Sequence, residues 1–167
     1  MQQQSLWPKQ NDRISLLLVG ETNVNREIPE EAFSHVLPTL LDADVLFGHL
    51  ECPVTHRPSM DPDVPDIVYK SSWKFSKPSM IQAWKSAAFS AVSCASNVMY
   101  GEKVVRDTLE SLDEYGIAHC GAGLTFGEAR KPAIVECKGT RFGFLSYTSV
   151  FWPVGLAAGL PAKSQGA

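Results

Sequence analysis

The stretch VLFGHLECPV, residues 45–54, runs from an apolar strand directly into a histidine and a glutamate. A strand alternates its side chains between two faces, so His49 and Glu51 point to the same side of the predicted sheet, while Leu50 points to the other. Two side chains that can bind a cation or carry a proton therefore share one face. This strand end is the first candidate for a functional site.

The composition of the 167-residue chain is typical of one folded domain, since 44% of its residues are apolar and 20% are charged. A net charge of -3 and the lack of any basic run exclude nucleic acid as an expected partner. No apolar run is long enough for a signal peptide or a membrane segment, and the four cysteines are too widely spaced for a disulfide framework or a zinc knuckle. We therefore expect a cytoplasmic protein with reduced thiols.

Apolar strand-like runs and amphipathic helices alternate along the chain, which predicts an α/β fold. The predicted strands lie near residues 14–19, 44–49, 89–95, 117–120, 132–137 and 141–147. The continuous apolar run of the first is typical of a strand buried on both faces, as parallel sheets require. Helices are predicted over 29–41, where Pro38 bends or splits the helix, in a short segment after Pro78, and over 102–115. A long surface loop is predicted over 52–72.

Polar side chains follow three successive strands of this pattern. Glu21 follows the first strand, His49 and Glu51 end the second, and Asn97 follows the third. Ligands of α/β folds gather at the carboxyl ends of the strands, and carboxylate, amide and imidazole groups are donors for Mn²⁺, Mg²⁺ and Zn²⁺. We therefore predict that these four side chains meet in one cleft. The alternatives stay open: Glu21 and Asn97 also suit turns, and His49 also suits a structural hydrogen bond.

Five segments carry a resemblance to a known family. They are GETNVNR (20–26), ADVLFGHLECPV (43–54), CASNVMYG (94–101), DTLESLDEYGIAHCGAGLTFGEARKPAIVECKG (107–139) and RFGFLSYTSVF (141–151). In this order they resemble the bacterial capsule-synthesis family CapA or PgsA, the poly-γ-glutamate biosynthesis proteins with a metallophosphoesterase-like fold. The resemblance covers residues 14–153 and implies a layered sheet with flanking helices.

The resemblance also implies a role for each strand-end residue. Glu21 stands where the family has a metal-binding aspartate, Glu51 keeps the family's glutamate, and His49 replaces an asparagine. Asn97 keeps an asparagine, whereas Val98 lies at or beside the family's histidine. The implied cofactor is a divalent ion, Mn²⁺, Zn²⁺ or Mg²⁺, bound by the four polar residues. The alternative is that this shortened chain binds none.

The function implied by the resemblance is capsule or poly-γ-glutamate biosynthesis by a protein resembling a metal-dependent hydrolase of amide or phosphoester bonds. The alternative is a non-catalytic assembly or binding component that keeps the fold without the chemistry, because the family's later histidine-rich segments do not occur in this chain. We expect a loose tail at 1–13, the amino-terminal part of a CapA-like domain at 14–153 with a sheet incomplete at its carboxyl end, and a weakly patterned tail at 154–167. The sequence indicates no substrate, catalytic residue or oligomeric state.

Overall fold

The computed structural model describes residues 13–56, 75–96, 98–99 and 101–149. Its elements in chain order are β1 Leu16–Thr22, α1 Leu37–Leu41, β2 Val45–Leu50, α2 Ile81–Ser86, β3 Ala91–Ser93, α3 Glu102–Glu114, β4 Ala118–Cys120, α4 Phe126–Ala129, β5 Ala133–Cys137 and β6 Thr140–Phe144. Short 3₁₀ turns occur at Pro29–Glu31 and Pro78–Met80. All six predicted strands are present, so the α/β class is confirmed. The metallophosphoesterase-like arrangement stays a prediction.

Strands β1 to β4 form one parallel sheet in sequence order, and β5 and β6 form a separate antiparallel hairpin. One face of the sheet packs against the main core, in which Trp84 and Ile81 of α2 are completely buried. The other face packs against the hairpin, where the ring of Phe47 stacks on that of Phe144 at 4.4 Å between centroids. Side chains of β2 therefore alternate between a helical layer and the hairpin, as the period of a strand requires.

The first strand is less buried than its apolar run predicts. Leu16 is 42% exposed and Leu18 is 61% exposed, so burial on both faces is wrong for this strand. β1 is an edge strand of the sheet. The hairpin packs on residues of β2, β3 and β4, and within the described ranges it leaves the matching face of β1 uncovered. A continuous apolar run therefore indicated a strand here without indicating two-sided burial.

Pro38 divides the helix that the sequence predicts over 29–41. A 3₁₀ turn at Pro29–Glu31 comes first, and α1 then begins at Leu37 with Pro38 in its first turn. Proline lacks a backbone N–H and its ring clashes with the carbonyl four residues earlier, so it is tolerated only in the first turn. The predicted helix over 102–115 agrees with α3. Most of the predicted loop, residues 57–72, and nearly all of both predicted tails lie outside the described residues.

The amino edge of the sheet, where its strands begin, is held together by Asp44. The Asp44 carboxylate accepts hydrogen bonds from the amide of Ser15 at 2.9 Å and from the Ser15 hydroxyl at 3.1 Å. Lys138, in the turn of the hairpin, reaches the same carboxylate at 2.6 Å. The hydrogen bond from Lys138 is the largest cause that lowers the pKa of Asp44, followed by the bond from the Ser15 amide. This edge therefore joins both sheets through one neutralised carboxylate.

The four cysteines all lie in the described ranges and form no disulfide. Cys94 and Cys120 are buried, and burial raises the pKa of both thiols. Buried thiols of this kind act as small apolar side chains. In the described part of the chain, no helix has the length and apolar character needed to cross a bilayer.

Candidate functional site

A bulge in β1 brings Glu21 beside His49 at the carboxyl edge of the sheet. Leu18 pairs with Phe47, but Glu21 rather than Gly20 pairs with His49, because the register shifts between residues 18 and 21. Paired residues of parallel strands lie on the same face of a sheet. An acidic residue and an imidazole on neighbouring strands therefore occupy the face that looks towards the hairpin.

The same row of paired residues continues across the sheet. His49 pairs with Ser93 of β3, which in turn pairs with Cys120 of β4. The His49 ring lies between two partners: its Nδ1 is 3.1 Å from the Ser93 hydroxyl, and its Nε2 is 3.0 Å from Oε2 of Glu51. This confirms the prediction that His49 and Glu51 share a face, since their side chains are in direct contact.

The Glu51 carboxylate is fixed from a third strand end. The Ser96 hydroxyl lies 3.1 Å from Oε2 of Glu51 and also 3.1 Å from its backbone oxygen. The Ser96 oxygen accepts a bond of 3.2 Å from the amide of Val98, which orients the loop after β3. The side chains of His49 and Glu51 are 23% and 25% exposed, so solvent and small solutes can reach both.

Buried hydrogen bonds support the site from the helical side of the sheet. The Thr22 hydroxyl donates to the backbone oxygen of His49 at 2.7 Å and accepts the indole N–H of Trp84 at 2.9 Å. The backbone amide of Glu51 donates to the backbone oxygen of Thr22 at 3.1 Å. These bonds fix the carboxyl ends of β1 and β2 against each other, and the positions of Glu21, His49 and Glu51 follow from them.

Ser146 closes the site from the segment after β6. Its hydroxyl lies 2.6 Å from that of Ser93. Gly121, at the end of β4, permits this approach: its φ is +84°, and a Cβ there would lie 2.7 Å from the Cβ of Ala95 and 3.1 Å from that of Ser146. Real Cβ atoms almost never approach within 3.0 Å, so the contact with Ala95 alone would force a shift. Glycine at this position thus allows the loop after β3 and the segment after β6 to meet above β4.

The charges at the carboxyl edge are not balanced by the described cations. None of the lysines and arginines in the described ranges forms an ion pair with Glu21 or Glu51, and the partner of Glu51 there is His49. Glu21 is exposed. Across the same ranges, no three histidine, cysteine, aspartate or glutamate side chains are clustered closely enough to hold a metal ion as they stand. A proton or a cation between Nε2 of His49 and Oε2 of Glu51 is needed to make their contact favourable.

Of the four predicted site residues, His49 and Glu51 are in contact and Glu21 pairs with His49 across the strands, whereas Asn97 lies outside the described residues. Their role as metal ligands stays a prediction. Sequence reasoning missed Ser93 as a partner of His49 and Ser146 as the partner of Ser93. Ser93 could have been found by its position, since it shares a strand face with Ala91 and ends a buried strand. No short-range pattern connects Ser146 with β3, because that contact depends on how the hairpin folds over the sheet.

Comparison with known proteins assigns a family. A sequence model described as bacterial capsule synthesis protein PGA_cap matches residues 8–164. The chain is 26% identical over 167 residues to the capsule biosynthesis protein CapA of Bacillus anthracis, with 94% of this chain and 39% of CapA covered. It is 28% identical over 151 residues to each of the uncharacterized proteins y4sH and y4uA of Sinorhizobium fredii (strain NBRC 101917 / NGR234), with 87% of this chain and 32% of either relative covered.

The chain thus spans only 32–39% of the length of these relatives. The family match extends over nearly the whole chain and contains every element of both sheets. This protein therefore belongs to the family of bacterial capsule synthesis proteins that the CapA-like segments indicated.

Proposed function

We propose that this chain carries a divalent-cation site and resembles a metal-dependent hydrolase of amide or phosphoester bonds that acts in capsule or poly-γ-glutamate biosynthesis. Glu21, His49 and Glu51 are the proposed ligands, with Asn97 as the fourth. The observation that supports this most is the contact between His49 and Glu51 beside Glu21, at a strand edge where no described lysine or arginine balances the carboxylates. The name of the relative CapA supports the process, not the reaction.

Two of the proposed ligands have the spacing of donors to one cation. Zn²⁺ binds imidazole nitrogen and carboxylate oxygen at about 2.0–2.2 Å, so two neighbouring donors on one ion are separated by about 3 Å or slightly more. Nε2 of His49 and Oε2 of Glu51 are 3.0 Å apart. Glu21 is exposed and in register with His49, and we expect its carboxylate to turn towards the same point when a cation binds. Imidazole with carboxylates also suits Mn²⁺, whereas carboxylates and an amide alone would suit Mg²⁺.

The residues around the ligands have the roles of supporting groups. Ser96 orients the Glu51 carboxylate and Ser93 orients the His49 ring, as hydrogen-bonded partners of metal ligands usually do. A bound cation would supply a Lewis acid that polarises a carbonyl or phosphoryl oxygen of the substrate. Partial exposure of His49 and Glu51 leaves both side chains accessible to a substrate. Cytoplasmic residence stays a prediction that cell fractionation would test.

Calorimetric titration with Mn²⁺ and Zn²⁺ tests the proposal. We expect a single weak site on the native chain and a loss of affinity of at least about tenfold in Glu51→Gln, which keeps the size of the side chain and its bond from Ser96 but removes the charge. The matched control is Asp44→Asn, which removes a carboxylate held by a serine hydroxyl at the opposite edge and should bind as the native chain does.

Equal heats for the native chain and Glu51→Gln would contradict the proposal and favour the non-catalytic alternative. The bond type is tested by incubating the metal-loaded native chain with a γ-glutamyl amide and with a phosphodiester. Cleavage of one of them that is lost in Glu51→Gln assigns the reaction. Cleavage of neither, in a chain that binds the cation, would contradict the hydrolytic part.

A further inference from the structure

We infer that Ser93 and Ser146 form a chain of two hydroxyl groups that decides which ring nitrogen of His49 carries the proton, and that both are therefore positioning residues of the site. The inference rests on the proposed function for its consequence, because a cation can bind Nε2 only when that nitrogen is unprotonated. The atoms that carry it are Nδ1 of His49, Oγ of Ser93 and Oγ of Ser146, separated by 3.1 Å and 2.6 Å in that order.

Burial makes these hydroxyls specific partners. Ser93 is only 4% exposed, so water does not readily replace it beside the ring. Its oxygen also accepts a long bond of 3.4 Å from the amide of Ala95, so its one proton is directed either to His49 or to Ser146. Ser146 is partly exposed and is the end of the chain that can exchange protons with solvent. A buried polar group without a partner is costly, so the two hydroxyls must orient together.

Counting protons leaves two consistent arrangements for a neutral His49 ring. In the first, Ser146 donates to Ser93, Ser93 donates to Nδ1, and Nε2–H donates to Glu51. In the second, Nδ1–H donates to Ser93, Ser93 donates to Ser146, and Nε2 turns a lone pair towards Glu51. The first satisfies every group without a cation. The second leaves two acceptors 3.0 Å apart, which is favourable only with a cation between them.

The change from the first arrangement to the second conserves protons and charge. Nδ1 takes the proton of Ser93, Ser93 takes the proton of Ser146, and Ser146 takes one from water, while Nε2 gives one to water. The ring is neutral before and after the change. The two serines thus let one histidine and one glutamate hold each other in the absence of a cation and hold a cation together in its presence.

Nitrogen-15 NMR of the His49 ring tests the inference without relying on activity. In the cation-free native chain we expect a proton on Nε2 and a hydrogen-bonded, unprotonated Nδ1. Ser93→Ala should move the Nδ1 resonance towards that of a nitrogen without a hydrogen bond, and Ser146→Ala should move it less in the same direction. Ser93→Thr keeps a hydroxyl and should restore the native value. The control Ser96→Ala removes a partner of Glu51 and should leave Nδ1 unchanged.

With Zn²⁺ added, the native proton should move to Nδ1, and Ser93→Ala should bind Zn²⁺ about tenfold more weakly. The inference would be overturned if Ser93→Ala left the Nδ1 resonance at its native value, or if Ser96→Ala shifted it by the same amount as Ser93→Ala. A native chain that binds no cation but responds to Ser93→Ala as expected would overturn the proposed function alone. A chain that binds Zn²⁺ with its proton on Nε2 throughout would overturn the inference alone.

Discussion

The two edges of the parallel sheet hold carboxylates by similar means and leave them in different electrostatic states. At the amino edge, the Ser15 hydroxyl binds Asp44 at 3.1 Å and Lys138 neutralises it at 2.6 Å. At the carboxyl edge, the Ser96 hydroxyl binds Glu51 at the same 3.1 Å, but the side chain opposite is His49 and no lysine or arginine of the described ranges pairs with it. Serine orients the acid in both places, and only one edge supplies a permanent positive charge.

This difference separates a structural ion pair from a candidate ligand site. Asp44 is bound by Ser15 and neutralised by Lys138, so it needs no further cation. Through Lys138 it also holds the hairpin to the sheet. Glu51 is oriented but not neutralised by a lysine or arginine of the described ranges, and its partner His49 pairs with Glu21 of the neighbouring strand. A carboxylate that the fold orients but does not neutralise is available to bind a cation. Substitutions at matched positions of the two edges test this difference.

The largest effect is expected for glycine to alanine at the two edges. Gly121→Ala places a Cβ 2.7 Å from Ala95 in a residue whose φ is +84°, so both a clash and backbone strain oppose folding. Gly139, in the hairpin turn beside Lys138, has a φ of +77° and open space around its Cβ position. We expect Gly121→Ala to lower the free energy of unfolding by about 3 kcal/mol and Gly139→Ala by about 1 kcal/mol. Urea unfolding measures both.

Equal losses in the two variants would mean that backbone strain alone matters and that close approach of Ser146 and Ala95 to Gly121 is not needed at the carboxyl edge. NMR of the two variants tests whether the loss of stability is accompanied by a change at the site. Gly121→Ala should also disturb the Nδ1 resonance of His49, because Ser146 must move away from Ser93. Gly139→Ala should leave that resonance at its native value.

Local patterns were sufficient to predict the strands and the contact between His49 and Glu51. Hydrophobic runs located all six strands, and the two-residue period of a strand placed both side chains on one face. The exposure of Leu18 and the role of Ser146 could not be predicted, because each depends on where the hairpin packs on the sheet. The bulge that brings Glu21 opposite His49 was also hidden, since nothing in LLLVGET indicates an extra residue in the register. Long-range packing, which one sequence does not reveal, determines these features.

A smaller effect is expected for hydroxyl groups beneath the two edges. Thr22→Val removes the acceptor of the fully buried Trp84 indole and the bond to the His49 backbone, which leaves a buried N–H without a partner. We expect a loss of about 2 kcal/mol in the free energy of unfolding. Ser15→Ala removes hydroxyl bonds that are exposed to water, and should cost about 0.5 kcal/mol or less. Thr22→Ser keeps the hydroxyl and is the control. Similar losses for Thr22→Val and Ser15→Ala would show that the edges do not differ in burial.

The smallest effect is expected for the ion pair of the amino edge, and its dependence on pH has a definite sign. The pKa of Asp44 is lowered from its ordinary value of 3.8, chiefly by the hydrogen bond from Lys138. The pKa of Lys138 is raised from 10.5, chiefly by the hydrogen bond to Asp44. An acid whose pKa is lowered by folding stabilises the fold above its unfolded pKa, and this contribution is lost as the pH falls through the folded pKa. A base whose pKa is raised by folding stabilises the fold below its unfolded pKa, and this contribution is lost as the pH rises through the folded pKa.

The stability difference between the native chain and Asp44→Asn should therefore be constant between about pH 5 and pH 9 and should shrink on both sides of that window. Taking the difference removes the alkaline effect of the buried cysteines, which both proteins share. Because the pair is exposed, the difference should be smaller than that of Thr22→Val and should decrease with added salt. Glu136→Gln is the control, since Glu136 faces Arg141 at a longer 3.4 Å with both side chains largely exposed. If Asp44→Asn changed the free energy of unfolding as little as Glu136→Gln at neutral pH and low salt, the ion pair would not stabilise the amino edge. The two edges would then differ in the position of their carboxylates and not in how strongly the carboxylates are held.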